Sequence, residues 1–342
     1  MKKILFLITA LLCIGDSAIL AQPTYSIVNT YHIAGDGSWD ILTMDPAAGK
    51  LYISHSTVVN VLDVHTGITV GTIPATNGVH DIAIAGDFKK GYTSNGKDTS
   101  VTVFNTETLA TIKNIKVTGV GPDAMLYDPF SHRVFVFNGH SSNATVIDAR
   151  KDVVIGTIAL AGKPELAVSD ERGRIFVNIE NKNQVAEIDP AKMKVRRYFN
   201  LATGEEPSGL AIDKKHHRLF STCSNNKMIV LNSLTGAVVA TLPIGSRVDG
   251  AAFDPALGRA YSSNGDGTIT VIEEKNDSTF DVLETIQTRV GAKNITIDET
   301  THHLYLPTAE FGPAPEPTAD RPHPRPSVKP NTFVILDVAP VK

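Results

Sequence analysis

One phrase recurs along this chain, and its spacing constrains the fold more than any other feature. A polar residue opens a short apolar stretch, Asp-Pro or a variant follows, and a basic residue then leads into an aromatic β-run. It reads DILTMDPAAGKLYISH at 40–55, DAMLYDPFSHRVFVFN at 123–138, ELAVSDERGRIFVNI from 165, SGLAIDKKHHRLFSTC from 208 and DGAAFDPALGRAYSSN from 249. A worn copy, HDIAIAGDFKKGYTSN, occupies 80–95, and a last one, KNITIDETTHHLYLPT, begins at 293. Anchored on the aspartate, the copies fall at Asp45, Ala85 (the worn one), Asp128, Asp170, Asp213, Asp254 and Asp298, in steps of 40, 43, 42, 43, 41 and 44 residues. Seven copies at this period match the blades of a β-propeller. A helical solenoid of similar period would need a 3.6-residue apolar rhythm, which is absent.

Each copy carries four strand signals separated by short polar turns. In the third they are Ala124–Tyr127, Val134–Asn138, Ala144–Asp148 and Val153–Leu160. The sequence therefore predicts an all-β, seven-bladed β-propeller of four-stranded antiparallel blades. The last copy stops after its third strand, Thr332–Val338. The stretch Ile27–Gly35 reads like Val154–Gly162, so the N-terminal strand is expected to complete the last blade and close the ring. Closure protects edges that would otherwise pair with other chains.

Residues 1–21 read as a signal peptide: Lys2 and Lys3 precede the apolar run Ile4–Ile14, and Ala21 offers a small residue for cleavage. The run is too short to span a bilayer, so no transmembrane segment is expected and the location is periplasmic or secreted. Residues 22–342 form the single propeller domain. Cys13 lacks the small residue expected just ahead of a lipid-anchored cysteine. After cleavage Cys223 is the one cysteine left, so the fold must hold by packing rather than by an internal disulfide. The formal net charge is -4, which argues against a nucleic-acid partner. The chain is expected to be a monomer.

The second strands read YISH, YTSN, FVFN and YSSN. These resemble the YVTN-repeat β-propellers, including the YncE-like periplasmic proteins, over nearly all of residues 25–340. The resemblance implies the fold. For activity it implies only a range, because that group holds binding proteins, surface-layer proteins and domains of redox enzymes.

In a meander the fourth-to-first and second-to-third loops share one face, and propellers usually bind where the first strands begin. Five residues before each anchor stand Asp40, His80, Asp123, Glu165, Ser208, Asp249 and Lys293. The bland reading is solvated turn caps; the functional one is a convergent polar mouth with a strong field, where crowded carboxylates call for a cation or shifted pKa values. Trp39 and Asp81 adjoin this ring. A second ring ends the second strands: His55, Asn95, Asn138, Ile179, Cys223, Asn264 and Thr308. Its Asn-Gly pairs are expected to be tight-turn residues with positive φ. His55 departs from the usual Asn, and His140 and Glu180 follow in equivalent loops. Together His55, His80 and His140 offer three imidazoles for zinc or copper, against the plainer reading of solvated loop histidines. Blade seven has a long loop, 309–331, with seven prolines. It is either a lid or wall over the mouth, bringing Glu310, Arg321, His323 and Arg325 to the site, or a flexible surface loop. The pairs His216-His217 and His302-His303 fall in first-to-second turns on the opposite face and are expected to be solvated.

Three functions compete. The preferred one is an extracytoplasmic, YncE-like binding protein that takes a small ligand, peptide or protein partner at the channel mouth. The second is a metal-dependent propeller enzyme of lactonase or lyase type, in which a divalent ion (Ca, Mg, Zn or Cu) held by His80, Asp123, Glu165 and Asp249 polarises a substrate, with His55 or His140 carrying protons. The third is a redox protein using copper or a quinone.

Overall fold

The computed structural model describes residues 25–316, 318, 324 and 326–341. The signal segment expected at 1–21 lies outside the described residues, as do Arg321, His323 and Arg325. The chain forms seven four-stranded antiparallel sheets. Blade one is Trp39–Asp45, Lys50–His55, Val58–Asp63 and Ile68–Ile73. Blades two to six repeat the same meander, with first strands at Val79–Ala85, Pro122–Asp128, Pro164–Ser169, Pro207–Asp213 and Val248–Asp254. In blade three the four strands run Pro122–Asp128, Arg133–Asn138, Asn143–Asp148 and Val153–Ala159, within two residues of the positions read from the repeat. Among the described residues no helix is long and apolar enough to cross a membrane.

Blade seven is assembled from both ends of the chain. Its inner strands are Thr296–Asp298, His303–Thr308 and Val334–Pro340, and its outermost is Tyr25–His32. The pairing is antiparallel, from Tyr25 opposite Pro340 to His32 opposite Val334, with a bulge between Ile27 and Asn29. The N-terminal strand therefore closes the ring. Tyr25 reaches further, because its hydroxyl meets that of Tyr261 in blade six at 2.6 Å.

The core lies between blades. Three residues before the end of each second strand stands an aromatic: Tyr52, Tyr92, Phe135, Phe176, Phe220, Tyr261 and Tyr305, none more than 2% exposed. Each ring fills the space against its neighbour blade, as Phe220 stacks on Phe253 at 5.2 Å and Tyr52 packs against Phe104 at 5.7 Å. Burying such a ring contributes about 2–3 kcal/mol per side chain. Fourth strands face solvent over most of their length, as in Thr111–Lys116, where Ile115 alone is buried.

The repeat aspartates fix the first-to-second turns. Asp254 accepts the backbone N–H groups of Ala256 and Leu257, both at 3.0 Å, and Asp170 accepts those of Arg172 and Arg174. Short carboxyl side chains suit this turn-closing role. Where Ala85 replaces the aspartate, a 3-10 turn over Gly86–Phe88 substitutes, with Lys89 left-handed. Three of the four histidines expected to be solvated here are paired: Nδ1 of His216 lies 2.6 Å from Asp213, that of His302 2.7 Å from Asp254 and that of His303 2.7 Å from Asp337.

Candidate functional site

A cavity of about 680 Å³ opens at the ends of the first strands. All seven residues of the first ring line it, from Asp40 round to Lys293. Six of them are the second residue of a first strand, and Lys293 precedes the short first strand of blade seven, Thr296–Asp298, so the repeat brings one side chain per blade to the cavity. Trp39, His140 and Glu180 also line the cavity.

Three charged groupings divide the ring. His80 Nδ1 lies 2.7 Å from Asp40 and 3.6 Å from Asp123. Lys163 bridges Glu165 and Glu180, and Lys293 is paired with Asp249. The Asn294 amide donates to the second oxygen of Asp40 at 3.1 Å. The hydrogen bond that His80 Nδ1–H donates to Asp40 raises the His80 pKa against the opposing effect of burial. Burial pushes the Asp123 carboxyl up to about 6, against the pull of His80. Burial likewise raises Glu165 and Asp249, opposed in each case by the paired lysine. The mouth thus stores unfavourable carboxylate charge at low dielectric.

Lys163 and Asn294 were not singled out by the sequence reading. Lys163 had a signal available, because Lys163-Pro164-Glu165 is charged on both sides of a proline in a fourth-to-first loop. Asn294 follows Lys293 directly and turns inward, with only 4% of its surface exposed.

The three histidines are not brought together. His55 is 3% exposed and does not line the cavity. Its Nδ1 is hydrogen-bonded to Asn60 Oδ1 at 2.9 Å and its ring packs on Phe333 at 4.8 Å. Among the described residues, two groups of three or more metal-type ligands have atoms within 4.8 Å of one another, and neither contains His55 or His140. The group at the mouth is Asp40, His80 and Asp123. The zinc or copper set of His55, His80 and His140 is corrected accordingly, and the copper argument that depended on it falls with it.

The reason lies in the second ring. Asn95, Asn138 and Asn264 are fully buried, and each amide donates into the third strand, for instance from Asn95 to Thr102 at 2.9 Å and from Asn264 to Thr270 at 3.1 Å. Asn138 is extended, with φ of -104°, and none of the three has positive φ. The tight-turn expectation for these pairs is therefore corrected. The glycines that follow serve close approach: a Cβ on Gly96 would lie 2.7 Å from His80 Nε2 and 3.3 Å from the Gly78 carbonyl. His55 occupies the asparagine's place, and Asn60, opposite Ile53, stands where Thr102 stands opposite Thr93.

Asp81 turns away from the cavity. It is 3% exposed and accepts the backbone N–H groups of Ile82 and of Met125 in the next blade, both at 2.7 Å, and burial pushes its carboxyl up to about 7. Glu310 also lies off the cavity, exposed and paired with Lys329 at 3.0 Å. The base of the long loop is zipped, with Phe311 bridged to Val328 and Gly312 donating to the Ser327 carbonyl. Phe311 contacts Trp39 at 6.2 Å, while Trp39 stacks on Phe333 at 4.6 Å. The loop base therefore braces the wall of the mouth through aromatic rings.

No protein-family model and no curated protein matches the sequence. Solved structures do. "Structure of U3-55K" superposes with a TM-score of 0.75 at 10% identity, covering 91% of this chain and 98% of that one. "Crystal structure of RRP9 WD40 repeats" gives 0.75 at 10% identity, covering 92% and 99%. "Kuenenia stuttgartiensis Hydrazine Synthase" gives 0.51 at 16% identity, covering 71% and 98%. At these identities the likeness is one of fold, and the fold is the seven-bladed propeller.

Proposed function

We propose that this protein is an extracytoplasmic binding protein of the YncE-like kind whose channel mouth holds a small, polar, positively charged ligand such as an organic amine. The observation that carries this reading is the convergence of one side chain from every blade, each at or just before a first strand, on a single cavity. Within it Lys163 is matched by Glu165 and Glu180, and Lys293 by Asp249. Asp40 and Asp123 flank His80, so a ligand cation arriving there relieves repulsion between carboxylates already partly desolvated. Export is supported by the basic and apolar residues 1–21, and the YncE-like assignment by the YISH-type second strands.

Trp39 is the sole tryptophan and lines the cavity, so its emission is a direct reporter. Titration with a panel of primary, secondary and quaternary amines is expected to give saturable emission changes. The double variant D40N/D123N is expected to weaken binding by at least tenfold, two charge-assisted contacts being worth about 1.5–3 kcal/mol each. A panel without a saturable binder, or binding indifferent to the double variant, would overturn the reading.

The second reading, a metal-dependent enzyme, is favoured by the ligand atoms of Asp40, His80 and Asp123 lying within 4.8 Å of one another. One imidazole and two carboxylates fit a divalent ion that polarises a bound oxygen. Elemental analysis of protein purified without chelator separates the two, since an enzyme of this kind retains an ion that H80A and D123N release.

A further inference from the structure

A second cluster lies on the face opposite the cavity, where blades five and six meet. The first-to-second turn of blade five runs from Asp213 to Arg218. One oxygen of Asp213 closes the turn by accepting the N–H groups of Lys215 and His216 at 2.7 and 3.1 Å. Its other oxygen lies 2.6 Å from His216 Nδ1. From blade six, on the third strand Thr268–Asn276, Glu274 enters the same space, with its Oε2 3.8 Å from that nitrogen.

Glu274 is the unusual member. Its side chain is 4% exposed; no N–H or hydroxyl donor reaches either carboxylate oxygen, and its one side-chain partner is the Asp213 carboxyl. The neighbouring cation, Arg218, stands off at 3.8 Å through an Nε that is likewise buried and unbonded. The rest of that guanidinium is committed elsewhere, to the carbonyls of His216 and Asp277 at 2.7 and 2.8 Å. A buried carboxylate whose only hydrogen-bond partner is a second carboxyl group is costly, and here the pair lies beside an imidazole.

We propose that Asp213, His216 and Glu274 bind one divalent transition ion of the zinc type, tying blade five to blade six. The three ligand atoms lie within 4.8 Å of one another. Two of their separations, 2.6 and 3.8 Å, bracket the roughly 3.3 Å edge of a tetrahedron with bonds near 2 Å. One nitrogen and two oxygens suit zinc, cobalt or nickel better than calcium, which takes six or more oxygens. The His216 side chain is 41% exposed, which leaves a path for the ion and room for water as fourth ligand. Arg218, 3.8 Å from Glu274, offsets part of the carboxylate charge.

The test uses the full chain in an H80A background, which disables the cluster at the mouth. Titration with Co²⁺, followed by its visible absorption, and with Zn²⁺ by calorimetry, is expected to show one saturable site and a raised melting temperature. E274Q and H216A are each expected to weaken binding tenfold or more. H216A alters a partly exposed turn residue and serves as the folded control should E274Q fail to fold by circular dichroism. Absence of a stoichiometric site in H80A, or less than tenfold weakening in the folded variants, overturns the proposal.

Discussion

Asp123 illustrates how a single residue couples the mouth to stability. Its carboxyl is pushed up to about 6 by burial, from about 3.9 in an unfolded chain. A carboxyl raised on folding contributes stability that is fully present below the unfolded value and is lost as pH rises through the folded one. His80, raised chiefly by its hydrogen bond with Asp40, acts in the same direction: its contribution is present when protonated and is lost as pH rises through its folded value. The urea midpoint is therefore expected to rise as pH falls from about 7.5 to about 5.5, and the rise to shrink in D123N/H80A. Turn carboxyls such as Asp298 are lowered instead, mainly by hydrogen bonds that outweigh burial, and their contribution is lost only at lower pH. A midpoint that falls over the upper window would contradict this account. D123N is also expected to be more stable than the parent at pH 7.5 while binding less well, as is common where a site holds strained charge.

At the scale of the strand, the end of each second strand is a joint, and His55 shows what the joint requires. In blades two, three and six an asparagine amide reaches the third strand; in blade one an imidazole reaches Asn60. H55N is expected to keep stability within about 1 kcal/mol, whereas H55A leaves Asn60 unpaired and a void beside Phe333 and is expected to cost about 1–3 kcal/mol. Denaturant melts check both, and ligand affinity is expected to be unchanged in H55N. This joint is also where the sequence misled. The Asn-Gly spelling is shared by a tight turn with positive φ and by a buried amide followed by a close-approach glycine, and only the partner residues four to seven positions on distinguish them. The first-strand ring was readable because its register follows from the anchor aspartates, while Asp81, one residue further on, points away by strand alternation. The face-to-face placement of Asp213 and Glu274 left no local signal, since it joins two blades.

For the whole molecule, the repeat carried most of the architecture: blade number, strand boundaries and closure by the N-terminal strand all follow from its period and its unfinished last copy. Removing residues up to His32 strips the outer strand from blade seven and leaves the row opposite Val334–Pro340 unpaired. It also deletes the Tyr25–Tyr261 contact. The truncated chain is expected to aggregate or to lose its cooperative melt, measured by size-exclusion chromatography and circular dichroism, because an exposed inner strand is an adhesive edge. A soluble, cooperatively melting truncation would show that six complete blades hold the ring without it.

The strand that closes the ring also sets an order of events. Tyr25 is among the first described residues a ribosome would deliver and its partner Pro340 among the last. Bringing them together encloses roughly 300 residues, an entropic cost of about 5 kcal/mol by the logarithmic law for flexible loops, reduced once the intervening blades have stacked. Each earlier blade can pair from neighbouring sequence as it emerges, but the final one waits for the whole chain. Until then the molecule is an open arc with a free edge at each end, and the time spent in that state, more than the depth of the finished well, governs how much of it reaches the native ring.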